Sequence, residues 1–144
     1  MEKEEKYTLF TDGGARGNPG PAGAGAVIKH GDTILKKIAK PLGKRTNNWA
    51  EYEAVIVALE ELKKLVPESR RKETVVEVRL DSELIARQLS GKYQVKEESL
   101  FPQYIKAHNL LVKDFPHTTF THIPREKNKE ADALSNEAMD NSGR

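Results

Sequence analysis

The sequence contains no cysteine among its 144 residues, and it has no long run of apolar residues. Without cysteine, disulfides and thiolate metal sites are excluded, so any bound metal must use oxygen or imidazole ligands. The apolar segments are too short to span a membrane, and the charged opening MEKEEK is not typical of a signal peptide. These absences lead us to expect a cytoplasmic protein without a membrane segment.

Charges of opposite sign nearly cancel, because 24 lysine and arginine residues are balanced by 22 acidic residues and the net charge is only +2. Such a balance does not by itself indicate a nucleic-acid-binding protein, so an interface of that kind would have to rest on local patches. The length suits one domain with its own core. We therefore predict a single domain over residues 1–144, ordered from about residue 7 to 139, with loose termini.

A glycine-rich stretch, TLFTDGGARGNPGPAGAG, covers residues 8–25. The run from Tyr7 to Thr11 is typical of a strand, and it ends at Asp12. Two interpretations are open at this point. Asp12 is either an ordinary residue of a hairpin turn, since Gly and Asp favour turns for conformational reasons, or a strand-end carboxylate beside backbone that a metal and a polymer can approach.

The remaining pattern predicts an α/β domain with the element order β-β-β-α-β-α-α-β-α. Asn47 or Asn48 is expected to cap the first helix, and residues 41–46 and 68–73 are expected to be loops. Strands joined through helices should be parallel with right-handed crossovers, whereas the second and third strands should form an antiparallel edge. The predicted strands are residues 7–12, 23–30, 33–39, 74–80 and 118–123, and the predicted helices are residues 49–65, 83–89, 100–115 and 128–139.

Four acidic residues lie where the predicted topology brings the ends of elements together. Asp12 and Asp81 end two parallel strands, and open α/β sheets bind ligands at that edge. Glu51 lies on the buried-facing stripe at the start of the first helix, and Asp132 flanks the stripe of the last helix. For Glu51 the alternative is a buried capping carboxylate that the helix dipole stabilises.

Clustered carboxylates repel one another, and their pKa values rise unless cations lie among them. Oxygen ligands with open positions suit Mg²⁺, which retains water and accepts phosphate oxygens. Two such ions about 4 Å apart would stabilise the attacking and leaving oxygens of a phosphoryl displacement. The four acids therefore predict phosphodiester hydrolysis.

Four segments, TDGGARGNPGPAG, TNNWAEYEAVIVALEEL, LDSELI and PREKNKEADALSNEA, resemble type 1 ribonuclease H (ribonuclease HI) in order and spacing over about residues 7–139. The resemblance implies the ribonuclease H-like fold, an α/β fold with a five-stranded mixed sheet in the order 3-2-1-4-5 flanked by helices. It also implies a monomeric endonuclease that cuts the RNA strand of RNA/DNA hybrids with two Mg²⁺ ions, for which Mn²⁺ can substitute, and leaves 5′-phosphate and 3′-hydroxyl ends. The metal-binding and catalytic acids that it implies are Asp12, Glu51, Asp81 and Asp132.

The resemblance further implies that the RNA strand is recognised through its 2′-hydroxyl groups in the minor groove, which suits backbone groups and amides. The implied contacts, besides Glu51, are Gly14, Ala15, Arg16, Gly17, Asn18, Asn47 and Asn48. Helix capping alone is the alternative explanation of the last two. Lys44 and Thr46 match a pocket for a phosphate of the DNA strand, and the alternative is that they are ordinary surface residues.

Three features depart from the pattern of many relatives. The loop before the last helix, PREKN, is short and has no histidine, the basic protrusion after the second helix is missing, and the asparagine that completes the phosphate pocket aligns with Glu97. Two hypotheses are therefore kept as alternatives to a nuclease that cleaves RNA/DNA hybrids. One is a catalytically silent hybrid-binding module, and the other is a nuclease of the same fold that cleaves another duplex, such as double-stranded RNA.

Overall fold

The computed structural model describes residues 6–143, so the predicted loose N-terminus falls almost wholly outside the described residues, which exclude 1–5 and 144. The strands are β1 (Lys6–Ala15), β2 (Gly20–His30), β3 (Thr33–Arg45), β4 (Val75–Leu80) and β5 (Thr118–His122). The helices are α1 (Asn47–Leu65), α2 (Glu68–Arg71), α3 (Glu83–Leu89), α4 (Phe101–Lys113) and α5 (Lys129–Ser142). Short 3-10 turns cover Glu98–Leu100 and Arg125–Lys127. None of the described helices combines the length and apolar character that crossing a membrane requires.

The five strands form one mixed sheet in the order β3-β2-β1-β4-β5, which confirms the predicted fold class. β1 pairs antiparallel with β2 and β2 with β3, whereas β4 runs parallel to β1 and β5 parallel to β4. Thr11 and Leu80 are partners at the end of the β1/β4 ladder. Asp12 and Asp81, the residues that follow them, are therefore neighbours at one edge of the sheet.

Helices α1 and α5 pack on opposite faces of the sheet. A Cβ atom at Gly13 would lie 2.1 Å from the carbonyl oxygen of Ala50 in α1, whereas one at Gly25 would lie 2.3 Å from the carbonyl oxygen of Ala131 in α5. Gly25 is the ladder partner of Asp12, the residue before Gly13, and successive residues of a strand point to opposite faces. Both helices therefore approach the sheet at the same level, one on each side of β1.

The main hydrophobic core lies between the sheet and α1, and α4 packs against α1. Burial of each large aliphatic side chain contributes about 1.5–3 kcal/mol to the stability of the fold. The apolar side chains of this core therefore hold α1 firmly against β1. The core thereby fixes the helix that carries Glu51. Its fully buried members include Leu9, Ile28, Tyr52, Val55, Leu59, Leu62, Val78 and Leu80.

The prediction of a loop over residues 41–46 is wrong, because β3 continues to Arg45. β2 begins at Gly20, earlier than expected, and supplies ladder partners for the added residues of β3. Pro41 is tolerated because β3 is the edge strand, where a missing N–H need not serve a second neighbour. A register shift opposite Ala22 and Gly23 passes over Leu42.

Other boundaries also differ from those predicted: β1 continues to Ala15, so Asp12 lies within the strand and not at its end. The charged segment 68–73 contains the short helix α2 instead of being wholly a loop. The last helix extends past residue 139 to Ser142, whose hydroxyl oxygen accepts a hydrogen bond from Leu42 N at 2.9 Å and whose proton is donated to the carbonyl of Ala22. These contacts with the β2–β3 edge explain why this part of the tail is helical.

Candidate active site

Three carboxylates from three separate elements meet at the edge of the sheet where β4 ends. Asp12 lies within β1, Asp81 follows β4, and Glu51 lies in α1; one oxygen atom of each lies within 4.8 Å of the others. Asp12 is only 7% exposed, whereas Glu51 and Asp81 are half-buried. The structure therefore brings together three of the four acids that the sequence singles out.

The fourth acid, Asp132, lies in the first turn of α5 and lines the same cavity, of about 430 Å³, as the other three. It is outside the tight group of three oxygens, but its charge and its hydrogen bond raise the pKa of Asp12. Asp132 is therefore a neighbour of Asp12 at the wall of the cavity.

Gly13 determines how closely α1 approaches Asp12. A Cβ atom at this position would lie 2.1 Å from the carbonyl oxygen of Ala50 and 2.6 Å from the backbone nitrogen of Glu51. Both neighbours are helix backbone, which cannot rotate away as a side chain can. The missing side chain therefore allows the Glu51 backbone to rest on β1 beside Asp12. A close approach of two backbones is a common reason for glycine in a strand.

α1 begins at Asn47, two residues earlier than predicted, and Thr46 is its N-cap. The Thr46 hydroxyl accepts a hydrogen bond from Trp49 N at 3.3 Å, so the prediction that Asn47 or Asn48 caps the helix is wrong. Thr46 adopts the extended conformation of a cap residue. Because of the earlier start, Glu51 lies beyond the first turn, where the helix dipole stabilises a carboxylate less.

Burial shifts the protonation of the two innermost acids. It raises the pKa of Asp12 from 3.8 to about 7, with the charges of Asp81 and Asp132 adding to the rise and a hydrogen bond from Ser135 opposing it. Burial also raises the pKa of Glu51 well above its usual value, and the charges of Asp12 and Asp81 act in the same direction. The ionised cluster is therefore electrostatically unfavourable without a cation.

The donor set fits a hard divalent cation. All donors are carboxylate oxygens, and Glu51 Oε2 is buried without a hydrogen-bond partner among the described residues. A buried oxygen of this kind is costly unless something binds it. Oxygen donors that repel one another match the ligands that Mg²⁺ and Mn²⁺ prefer. The group could hold a metal ion on its geometry and its chemistry.

Two asparagines join the glycine-rich hairpin to the start of α1. Asn47 Oδ1 accepts a hydrogen bond from Ala15 N at 2.7 Å, and Asn18 Oδ1 accepts one from Asn47 N at 3.0 Å. Over residues 6–143, neither side-chain amide nitrogen has a protein acceptor. The side-chain oxygens of the two asparagines therefore stabilise the contact between the hairpin and α1, and their side-chain N–H groups remain able to donate to a ligand.

The predicted substrate contacts divide into two groups. Gly14, Ala15, Asn47 and Asn48 line the acid cavity, whereas Arg16, Gly17, Asn18, Lys44 and Thr46 are not among its lining residues. Arg16 forms an ion pair with Asp140, and its guanidinium lies 3.4 Å from the carbonyl oxygen of Asn136. It therefore clamps the hairpin onto α5. Lys44 is exposed on β3, opposite Pro21.

Glu97, the residue aligned with the expected pocket asparagine, is exposed beside a second cavity of about 460 Å³. Asn48 lines both this cavity and the acid cavity. Lys44 and Thr46 are not among the residues that line the second cavity. Asn48, at the start of α1, therefore lies between the cavity beside Glu97 and the acid cavity.

Sequence reasoning missed the polar residues that support the acids. Asn128 is buried at the start of α5, and its amide nitrogen lies 2.9 Å from the Thr11 carbonyl oxygen and 3.4 Å from Asp81 Oδ2. Ser135 Oγ lies 2.8 Å from Asp12 Oδ2. Both residues fall within the segment PREKNKEADALSNEA, but their contacts with Thr11, Asp81 and Asp12 depend on how α5 packs on the sheet.

Arg125 also lines the acid cavity, in the loop that carries no histidine. Its charge opposes the rise in the pKa of Glu51. None of the four histidines, all within the described range, is among the residues that line this cavity.

A five-stranded sheet in the order 3-2-1-4-5, with carboxylates meeting where β1 and β4 lie side by side, defines a ribonuclease H-like domain. A family profile described as Reverse transcriptase-like matches residues 10–138. A ribonuclease H1 isolated from compost, solved in complex with an RNA/DNA hybrid, is 46% identical; the match covers 96% of this chain and 99% of that chain, with a TM-score of 0.90.

Relatives identified by sequence similarity agree with this assignment. Ribonuclease HI of Halobacterium salinarum is 39% identical over 92% of this chain and 64% of its own length. A bifunctional protein of Mycobacterium tuberculosis is 39% identical over 94% of this chain, which spans 36% of that relative. This chain belongs to the type 1 ribonuclease H family.

Proposed function

We propose that this chain is an endoribonuclease that hydrolyses the RNA strand of RNA/DNA hybrids and acts as a cytoplasmic monomer. The observation that carries the proposal is the meeting of three carboxylates within 4.8 Å at an open cavity. The complex of the compost ribonuclease H1 with an RNA/DNA hybrid supports the substrate class, because that relative matches nearly the whole chain.

Asp12, Glu51, Asp81 and Asp132 would hold two Mg²⁺ ions, for which Mn²⁺ can substitute. When bound, such ions supply charge neutralisation and a more acidic water at the phosphate. Asp12 is the acid whose electrostatic influence connects it with all three others, since Asp81 and Asp132 raise its pKa and it raises that of Glu51. Asp12 is therefore the ligand best placed to bind both ions.

The chain itself would position the RNA strand for hydrolysis. Asn47 and Asn48 line the cavity beside the acids, and their side-chain N–H groups suit the 2′-hydroxyl oxygens of RNA. Gly14 lines the same cavity, where its backbone can contact the RNA strand. Attack of water on phosphorus in line with the 3′ oxygen breaks the P–O3′ bond, so the products carry 5′-phosphate and 3′-hydroxyl ends.

We further propose that selectivity for hybrids over double-stranded RNA is reduced in this chain. Both duplexes offer 2′-hydroxyls on the cut strand, so discrimination depends on recognition of the DNA strand. Glu97 places a negative charge beside the cavity that Asn48 also lines, and the resemblance implies that the residue at the Glu97 position helps to hold a phosphate of that strand. An anion there weakens hybrid binding without touching the acids.

The test is cleavage of three labelled duplexes, RNA/DNA hybrid, double-stranded RNA and double-stranded DNA, with and without Mg²⁺. The proposal expects Mg²⁺-dependent cleavage of the hybrid's RNA strand, weaker cleavage of double-stranded RNA and none of DNA. Binding of the hybrid without cleavage under any metal condition would instead establish a silent binding module. A preference for double-stranded RNA would establish a nuclease for that duplex.

A further inference from the structure

Ser135 is fully buried on α5, and its hydroxyl oxygen has two acceptors within reach. Asp12 Oδ2 lies at 2.8 Å and the carbonyl oxygen of Asp132 at 3.0 Å. A serine hydroxyl has a single proton to donate. If the carbonyl of Asp132 accepts this proton, Ser135 stabilises the helix. If Asp12 accepts it, Ser135 stabilises the acid cluster.

The surroundings favour Asp12 as the acceptor. The carbonyl of Asp132 already accepts a hydrogen bond from the side-chain amide of Asn136, at 2.9 Å. An ionised carboxylate is also a stronger acceptor than a backbone carbonyl, because charge-assisted hydrogen bonds are roughly twice as strong as neutral ones. The proton of Ser135 therefore points at Asp12 Oδ2 when Asp12 is ionised.

The backbone of Ser135 is fixed relative to Asp12. A Cβ atom at Gly25 would lie 2.5 Å from Ser135 N, and one at Gly23 would lie 2.5 Å from Ser135 O. Gly25 is also the ladder partner of Asp12. Helix and strand are thus in direct backbone contact on both sides of Ser135, and rotation of the hydroxyl about its own side-chain bond is the main freedom left.

We propose that Ser135 is a positioning residue that holds the carboxylate of Asp12 in its metal-binding orientation. By holding Oδ2, the hydrogen bond restricts rotation of the carboxylate, which repulsion from Asp81 and Asp132 would otherwise turn away from them. The ordered carboxylate then faces a cation without a reorganisation cost. This inference rests on the proposed function, since it concerns the same site.

The test compares Ser135→Ala with a matched control on the same helix, Ser142→Ala. Ser142 also has hydrogen bonds to backbone, through Leu42, Gly43 and Ala22, but it is not among the residues lining the acid cavity. Alanine is smaller than serine and a better helix former, so both variants should fold. Mg²⁺ is titrated into the metal-free proteins, and the amide chemical shifts of Gly13 and Gly14 report binding.

We expect Ser135→Ala to raise the Mg²⁺ dissociation constant about tenfold, the usual effect of losing a partner of a metal ligand, and Ser142→Ala to leave it within about twofold. Hybrid cleavage by Ser135→Ala should fall at limiting Mg²⁺ and recover at high Mg²⁺, which a purely structural defect would not do. An unchanged dissociation constant in Ser135→Ala, or equal changes in both variants, overturns the inference. A wild-type protein that neither binds Mg²⁺ nor cleaves hybrid overturns the proposed function itself.

Discussion

Gly25 lies directly opposite Asp12 in the β1/β2 ladder, and the backbone of α5 occupies the space that a side chain at Gly25 would need. This contact, together with a similar one at Gly23, sets how close Asp132 and Ser135 come to Asp12. Gly25 is therefore part of the acid site although it offers no functional group.

Gly25→Ala should separate α5 from the sheet. The new methyl carbon would lie 2.3 Å from the Ala131 carbonyl oxygen and 2.5 Å from Ser135 N, and overpacking of this kind costs about 1–3 kcal/mol. We expect a lower melting temperature and at least a tenfold loss of hybrid cleavage. The control is Gly143→Ala, whose methyl would meet only Pro21 side-chain atoms at ordinary distance. Equal activity of the two variants would contradict this account of α5.

Asp12→Asn should abolish cleavage while the fold and hybrid binding are retained. The substitution removes the charge of the acid proposed to be shared by two ions, and it preserves the shape of the side chain. Gel cleavage and hybrid-binding assays measure the two effects separately. The control is Asp32→Asn, which removes the same charge from an exposed turn. More than a tenth of wild-type rate in Asp12→Asn would show that Asp12 is not the shared ligand.

Metal-free stability should decrease as pH rises from 5 to 8. The pKa of Asp12 rises from its usual value of 3.8 to about 7 in the folded protein. In this pH range the folded chain therefore binds more protons than the unfolded chain. As these protons are released, the free energy of unfolding falls. The lowered pKa values of Glu61 and Glu77 act mainly below this window. Melting temperatures at both pH values, with EDTA, should differ less in Asp12→Asn, and an unaltered difference would refute the raised pKa.

Glu97→Asn should increase the preference for hybrid over double-stranded RNA. Repulsion between Glu97 and a nearby phosphate is on the order of 1 kcal/mol in a partly exposed site, and 1.4 kcal/mol corresponds to tenfold. We expect tighter hybrid binding with little change in cleavage of the RNA duplex. The neighbouring exposed Glu98→Gln is the control. A cleavage ratio that Glu97→Asn leaves unchanged would mean that Glu97 does not face the DNA strand.

The elements that carry the four acids could be predicted from local sequence patterns. Asp12 and Asp81 follow from strand patterns, and the position of Glu51 follows from the helical spacing of the α1 stripe. These signals are local, because strand alternation and helix periodicity are written in neighbouring residues. The family resemblance then supplied the order in which the strands pair.

The supporting contacts could not be predicted, because each depends on distant segments. Ser135 meets Asp12 only because Gly23 and Gly25 admit α5, and Thr46 displaces Asn47 as the cap because Asn47 is already bonded to Ala15. β3 likewise extends beyond its predicted end, because β2 begins earlier than predicted and pairs with the added residues. Tertiary contacts of this kind override local preference.

The hydrogen bonds from Ala15 N to Asn47 Oδ1 and from Asn47 N to Asn18 Oδ1 have a kinetic consequence. They make the hairpin tip and the start of α1 one pre-ordered surface, so a duplex that docks there need not first immobilise a loop. Association then loses little conformational entropy at this point of contact. The rate of capture should accordingly be governed by diffusion and charge steering, with discrimination between duplexes expressed in how long each one stays bound.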